Sequence, residues 1–266
     1  MIIVKIGGGE TLNIDGILAD LAELQQREKE KIIIVHGANK LRDDLAKKLQ
    51  IEKTVLTSVS GYSSVFSDEE TINLQMMAYA GLKNKRIVEN CQKRGINAIG
   101  LSGLDGKIIQ GKRNQGIRVK EGEKIKIKRD FSGKPQIINT QLIHLLLENG
   151  YTPVLTVPII DENNYAINSE NDDIVALLHQ ELHATKIFQL IEAPGLLKDF
   201  NDKSSTIKKL SKIELDVLEQ KSDGRIKRKL LALKKLLDVP VTIYVCDGRI
   251  EKPISEALLG NCTIIS

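Results

Sequence analysis

Short runs rich in Ile, Val and Leu recur at residues 2–6, 31–35, 97–101, 152–159, 186–191 and 241–245, and most are separated by stretches with apolar residues at helical spacing. Continuous apolar runs of this length suit strands covered on both faces. Returning each strand in the same direction requires a crossover of a dozen residues or more. The pattern therefore predicts an α/β chain: a mainly parallel sheet inside a three-layer αβα sandwich.

Helices are expected at 13–27, 40–49, 71–94, 140–149, 173–182, 211–221, 225–237 and 254–259. Ser67 with Glu70, and Ser211 with Glu214, match the capping-box pattern, and Asp172 stands where the helix at 173 begins. The long stretch 71–94 should bend near Gly81, with Met76 and Met77 filling core. Pro153 and Pro158 fall toward the two ends of the 152–159 strand, where proline is tolerated. A turn is expected at 161–164 and a short strand at 165–168, while 201–205 is polar enough for a mobile loop. The strand at 241–245 should close the sheet, and no internal repeat is apparent.

The first run is unusual, since Lys5 interrupts Ile and Val residues and Gly7, Gly8 and Gly9 follow. A lysine there is costly unless it meets an anion at the strand end. Glycine lets backbone N–H groups approach phosphoryl oxygens, and the next helix adds its positive end. An ordinary edge lysine before a turn is the competing explanation. The second run ends in His36-Gly37-Ala38-Asn39, again small residues before a helix. His36 itself reads as a hydrogen-bonded structural residue rather than a catalyst.

Aromatic content of 3% with no Trp disfavours stacking on nucleic-acid bases, so no nucleic acid is expected as a partner. Cys91, Cys246 and Cys262 show no metal-ligand spacing and suggest reduced core thiols in a cytoplasmic protein, with no metal site implied. No apolar run approaches the roughly 18–20 residues of a membrane span, so no membrane partner is expected. The net charge of +4 is modest, yet 107–129 holds nine basic residues against Glu121 and Glu123 and reads as a hairpin turning near 121–123.

Four stretches, Val4-Lys5-Ile6-Gly7-Gly8, Val35-His36-Gly37-Ala38-Asn39, Asn168-Ser169-Glu170-Asn171-Asp172 and Gly224-Arg225-Ile226-Lys227-Arg228-Lys229, resemble in order and spacing the motifs of the amino acid kinase family. The acetylglutamate kinase branch is nearest. Residues 84–86, 99–106 and 247–253 are further similar to kinases acting on aminoadipate or glutamate attached to the carrier protein LysW. The resemblance implies one amino acid kinase domain over 1–266, with a lobe of about 1–160 for the acceptor and one of about 161–266 for the nucleotide. It also implies ATP with Mg²⁺, a place in lysine or arginine biosynthesis, an acidic carrier protein as partner, and a homodimer. A kinase for free N-acetylglutamate and a non-catalytic amino-acid sensor of the same fold are the alternatives.

By motif matching, Lys5, Lys229 and Asp172 are catalytic: the lysines hold the transferring and leaving phosphates and Asp172 fixes both ammonium groups. Gly7, Gly8, Gly195 and Lys227 fall to the nucleotide, with Gly7, Gly8 and Gly37 offering backbone donors. Gly37, Ala38, Val65 and Asn168 fall to the acceptor. Without the resemblance, residues 227–231 would read as a solvated helix face and Asp172 as a helix cap. The branch usually has an arginine just before the Ser-Asp that opens the long helix, to grip the acceptor's α-carboxylate, and here that place is Val65. Valine cannot replace a bidentate donor, so Arg42, Arg86 or a residue of the basic hairpin would have to supply the charge. Lys112, Arg113 and Lys126 are the expected carrier-docking residues. A solvated hairpin whose lysines discourage edge pairing is the plainer account of that segment.

Overall fold

The computed structural model describes residues 1–57, 59, 63–121, 124–199, 202, 205–222 and 224–266. The expected turn at Gly122-Glu123 and most of the expected loop at 201–205 lie outside the described residues, and of the 224–229 stretch only Lys227 and Lys229 have described side chains.

The chain opens β1 (Ile2–Ile6), α1 (Ile14–Glu28), β2 (Ile32–His36) and α2 (Asn39–Lys48). A ribbon β3 (Val55–Thr57) and β4 (Ser63–Val65) precedes α3 (Glu69–Gln75), which runs through wide turns at Met76–Lys83 into α4 (Asn84–Gln92). Next come β5 (Ala98–Ser102), β6 (Ile109–Arg113), β7 (Ile117–Glu121), β8 (Lys124–Lys128), β9 (Gly133–Ile138), α5 (Thr140–Glu148), β10 (Thr152–Thr156), β11 (Ile159–Ile160) and β12 (Ala166–Ile167). The rest is α6 (Asn171–Leu182), β13 (Lys186–Ile191), β14 (Lys209–Leu210), α7 (Lys212–Gln220), α8 (Gly224–Leu236), β15 (Thr242–Asp247), α9 (Pro253–Leu258) and β16 (Thr263–Ile265).

Eight strands form the main sheet in the order β14-β16-β15-β13-β1-β2-β10-β5, parallel except where β16 runs against β15. The predicted α/β sandwich is therefore present. The strand at 242–247 does not close the sheet, because β16 and then β14 lie beyond it. Alternation along β1 divides the core: Ile2, Val4 and Ile6 pack with α1, α4 and α9, whereas Ile3 joins residues of α5, α6 and α8 on the other face.

The expected strand 152–159 is two strands. β10 ends at Thr156, the cis Val157–Pro158 bond turns the chain, and β11 joins a second sheet of order β12-β11-β6-β9. Pro153 sits inside β10, where the pairing with β2 begins only at Val154. Likewise only β7 and β8 form the basic hairpin, while Lys112 and Arg113 belong to β6 in the second sheet.

Capping follows geometry more closely than pattern. Thr71 N–H donates to Asp68 Oδ1 at 2.8 Å, so Asp68 rather than Ser67 caps α3, and the Ser67 hydroxyl turns to the Val65 carbonyl instead. Glu170 holds the cap position of α6, which puts Asp172 within the first turn. The box at Ser211 and Glu214 is formed as read. The long helix widens around Gly81 where a bend was expected, and Met77 is exposed rather than core filler. The widening leaves both Tyr79 and Asn84 buried: Tyr79 donates to Asn39, and Asn84 Nδ2 reaches His36 Nε2 at 3.1 Å and the Val154 carbonyl at 2.9 Å.

Candidate active site

β1 lies between β2 and β13, so the ends of three parallel strands place Gly7, Gly37 and Glu192 together at one edge of the sheet. Lys5 pairs in register with Val35 and Gln189, and it is buried. Its ammonium crosses to Asp172, with Nζ 2.9 Å from Oδ1. Burial alone would push the Asp172 carboxyl up. Lys5 in contact, with Lys229 of α8 within electrostatic reach, more than offsets this and holds it below the usual carboxylate range. Three groups from β1, α6 and α8 thus form one charged cluster.

The glycines divide their work differently from the expectation. Gly7 N–H donates to the Leu190 carbonyl at 3.1 Å and Gly37 N–H to the Ile6 carbonyl at 2.9 Å, so both donors are spent extending the sheet. Gly8 and Gly9 keep N–H groups with no acceptor among the described residues. A Cβ on Gly8 would come within 2.7 Å of Asn39 N and 2.9 Å of Ala38 N, while one on Gly37 would come within 3.0 Å of Gly8 N. The two loops are glycine-rich because they press on each other.

On the expected acceptor side, Asn168 Nδ2 donates to the Ser67 hydroxyl at 3.1 Å and Asn168 N–H to the Phe131 carbonyl at 2.7 Å, tying the loop before α6 to the start of α3. Val65 pairs with Val55 across the β3–β4 ribbon. Arg42 is committed to Asp43 at 2.7 Å and Arg86 to Glu89 at 2.8 Å. The β7–β8 hairpin does abut that ribbon, since Val59 N–H donates to the Arg118 carbonyl at 2.8 Å.

Other expected residues have separate partners. Lys227 is 3.6 Å from Glu219 of α7. Gly195, at φ 153°, packs where a Cβ would meet Thr263 Oγ1 at 2.6 Å. Arg113 turns inward, its guanidinium 3.9 Å over the Phe131 ring and Nε 4.0 Å from the buried Asp161, so it does not share a surface with the exposed Lys112 and Lys126. Burial lowers the His36 pKa to about 3, and the bonds to Asn84 and the Gly37 carbonyl suit a neutral ring with its proton on Nδ1. Glu192 was missed. Gly9, with a carboxylate in the place of its side chain, was the available signal.

A family model described as the amino acid kinase family matches residues 1–247. The chain belongs to the amino acid kinase family. It is similar over its whole length to the [LysW]-aminoadipate kinase of Deinococcus radiodurans, at 39% identity and 91% of that protein. The corresponding [LysW]-aminoadipate kinase of Thermus thermophilus is 37% identical, with both chains fully covered. Among solved structures, the carbamate kinase of Giardia superposes with a TM-score of 0.69 at 13% identity, covering 99% of this chain and 97% of that one. As an amino acid kinase the protein is a phosphotransferase with a carboxyl group as acceptor and ATP as donor.

Proposed function

We propose that the protein phosphorylates the side-chain carboxylate of aminoadipate or glutamate whose amino group is borne on an acidic carrier protein of the LysW kind, in lysine or arginine biosynthesis. The observation that carries this reading is the end-to-end similarity to two [LysW]-aminoadipate kinases. A carboxylate with a pKa near 4.3 is already ionised at neutral pH, so attack on the γ-phosphorus needs no general base. The acceptor oxygen bonds to phosphorus as the bridge to the β-phosphate breaks, and ADP leaves. Such a transfer needs two anions aligned and their charge neutralised.

Lys5 is assigned to the transferring phosphoryl group and Lys229 to the leaving side, with Asp172 holding the first at 2.9 Å and acting on the second through space. Gly8 supplies a backbone donor. Gly37 and Ala38, in a lobe of about 1–160, border the acceptor together with Asn168, while Gly195 and Lys227 belong to the nucleotide lobe of about 161–266. The close packing of Gly195 beside Thr263 and the ion pair of Lys227 with Glu219 favour a supporting part for those two. Mg²⁺ would arrive on the nucleotide phosphates, since no three His, Cys, Asp or Glu side chains converge as ligands among the described residues.

The hairpin β7–β8 supports carrier docking. Ile125 and Ile127 are exposed on it beside Arg118 and Lys120, an apolar and basic surface suited to an acidic protein. Buried free thiols at Cys91, Cys246 and Cys262 agree with a reduced cytoplasmic setting. The homodimer would cover the outer edge of β5, which ends the main sheet. The deciding experiment measures ADP release with the carrier-linked substrate beside free N-acetylglutamate. Preference for the carrier-linked form is expected. Preference for the free form, or turnover of neither, would overturn the proposal.

A further inference from the structure

Glu192 follows β13 directly, and its side chain reaches back to the loop after β1. Thr11 N–H and the Thr11 hydroxyl both donate to Glu192 Oε1, each at 2.8 Å. Gly9 passes over the same carboxylate so closely that a Cβ there would fall inside it. These contacts hold the Glu192 carboxyl below its usual range despite partial burial, and Lys229 adds to the effect. A bare carboxylate beside a triphosphate would repel it. Donors from the loop offset the charge of this one.

The roles assigned above leave Gly9, Thr11 and Glu192 without a task, although they join the two strands that flank the candidate site. We infer that Glu192 is a positioning residue for phosphoryl transfer: its carboxylate clamps Gly9 to Thr11 and fixes the free N–H groups of Gly8 and Gly9 beside Lys5. A loop held by the protein's own contacts is not ordered at the expense of binding. The third glycine of the run exists for the carboxylate.

The inference rests on the kinase reading, and its test uses nucleotide binding as well as turnover. Wild-type turnover, measured first, tests the acceptor assignment and is independent of the clamp. ADP titration by calorimetry then compares wild type with Glu192→Ala, Glu192→Gln, Gly9→Ala and the Gly9→Ala, Glu192→Ala double variant, each checked for cooperative melting. Glu192→Ala should weaken ADP binding and raise the KM for ATP about tenfold, lower kcat, and leave the acceptor KM unchanged. Glu192→Gln keeps an oxygen for Thr11 and should recover most of the nucleotide affinity. Gly9→Ala should be damaging with Glu192 present and nearly silent once Glu192 is Ala, because the added methyl then has room. ADP binding and KM for ATP within twofold of wild type in Glu192→Ala, or an equal cost of Gly9→Ala in both backgrounds, would overturn the clamp.

Discussion

Lys5 Nζ stands 2.9 Å from Asp172 Oδ1, so the lysine that interrupts an apolar strand is neutralised by a helix from the far half of the chain. Such a pair keeps a buried charge tolerable, and it leaves the remaining ammonium hydrogens to face an incoming phosphate.

Replacing Lys5 or Lys229 by Ala is expected to lower kcat by at least ~10²-fold, because each removes charge stabilisation at the transferring group. The fold should survive, since Asp172 retains the other lysine. Steady-state kinetics with a melting curve for each variant provides the check. Turnover near the wild-type value would remove that lysine from the mechanism.

Turnover should require Mg²⁺ supplied with ATP. Addition of a chelator is expected to abolish ADP release and excess Mg²⁺ to restore it. Full activity in chelator would contradict the assignment.

Charge reversal at exposed lysines of the basic segment tests docking. Lys112→Glu, Lys120→Glu and Lys126→Glu together should raise the KM for the carrier-linked substrate and leave the KM for ATP unchanged. These side chains are exposed, and over a Debye length of roughly 8 Å at physiological salt neighbouring charges act in concert. Wild-type behaviour of the triple variant at low salt would place the carrier elsewhere.

His36 makes stability depend on pH. Its folded-state pKa of about 3 lies below the ordinary 6.5, so the unfolded chain takes up the proton first. Stability is therefore complete above pH 6.5 and falls as pH drops toward 3, by up to about 1.4 kcal/mol per unit. His179, also held down by burial, contributes with the same sign. Urea denaturation between pH 6.5 and 4.5 should show a shallower slope for His36→Gln than for wild type. Parallel slopes would mean that His36 is not buried neutral.

Elements with long periodic signals were legible in the sequence. The strand at 186–191 coincides with β13, and the Ser211 cap with its bonded partners, because both depend on local pattern. Bringing Lys5, Asp172 and Lys229 together rested on motif resemblance, since no local rule joins residues so distant in the chain. What stayed hidden was the allocation of backbone donors. Whether Gly7 or Gly37 can serve a ligand depends on the Leu190 and Ile6 carbonyls beside them, and strand order alone decides that. Arg113 was unreadable for a similar reason: its charge suggested a surface, but Phe131 and Asp161 arrive from the segments after β8 and β11 to receive it. The Ser67 pattern also suits a cap, yet the chain enters the helix one residue later, and Asp68 is the better acceptor there.

The wide turns at Met76–Lys83 have a consequence for how the chain is spaced. In a regular helix, residues five apart point roughly 140° away from each other, whereas turns closed between i and i+5 bring them onto the same face. Tyr79 and Asn84 are five apart, and both point inward, one to the head of α2 and the other to the end of β2. Pitch therefore yields to two fixed attachments, and the helix behaves as a spacer whose length is set at its anchors rather than along its axis.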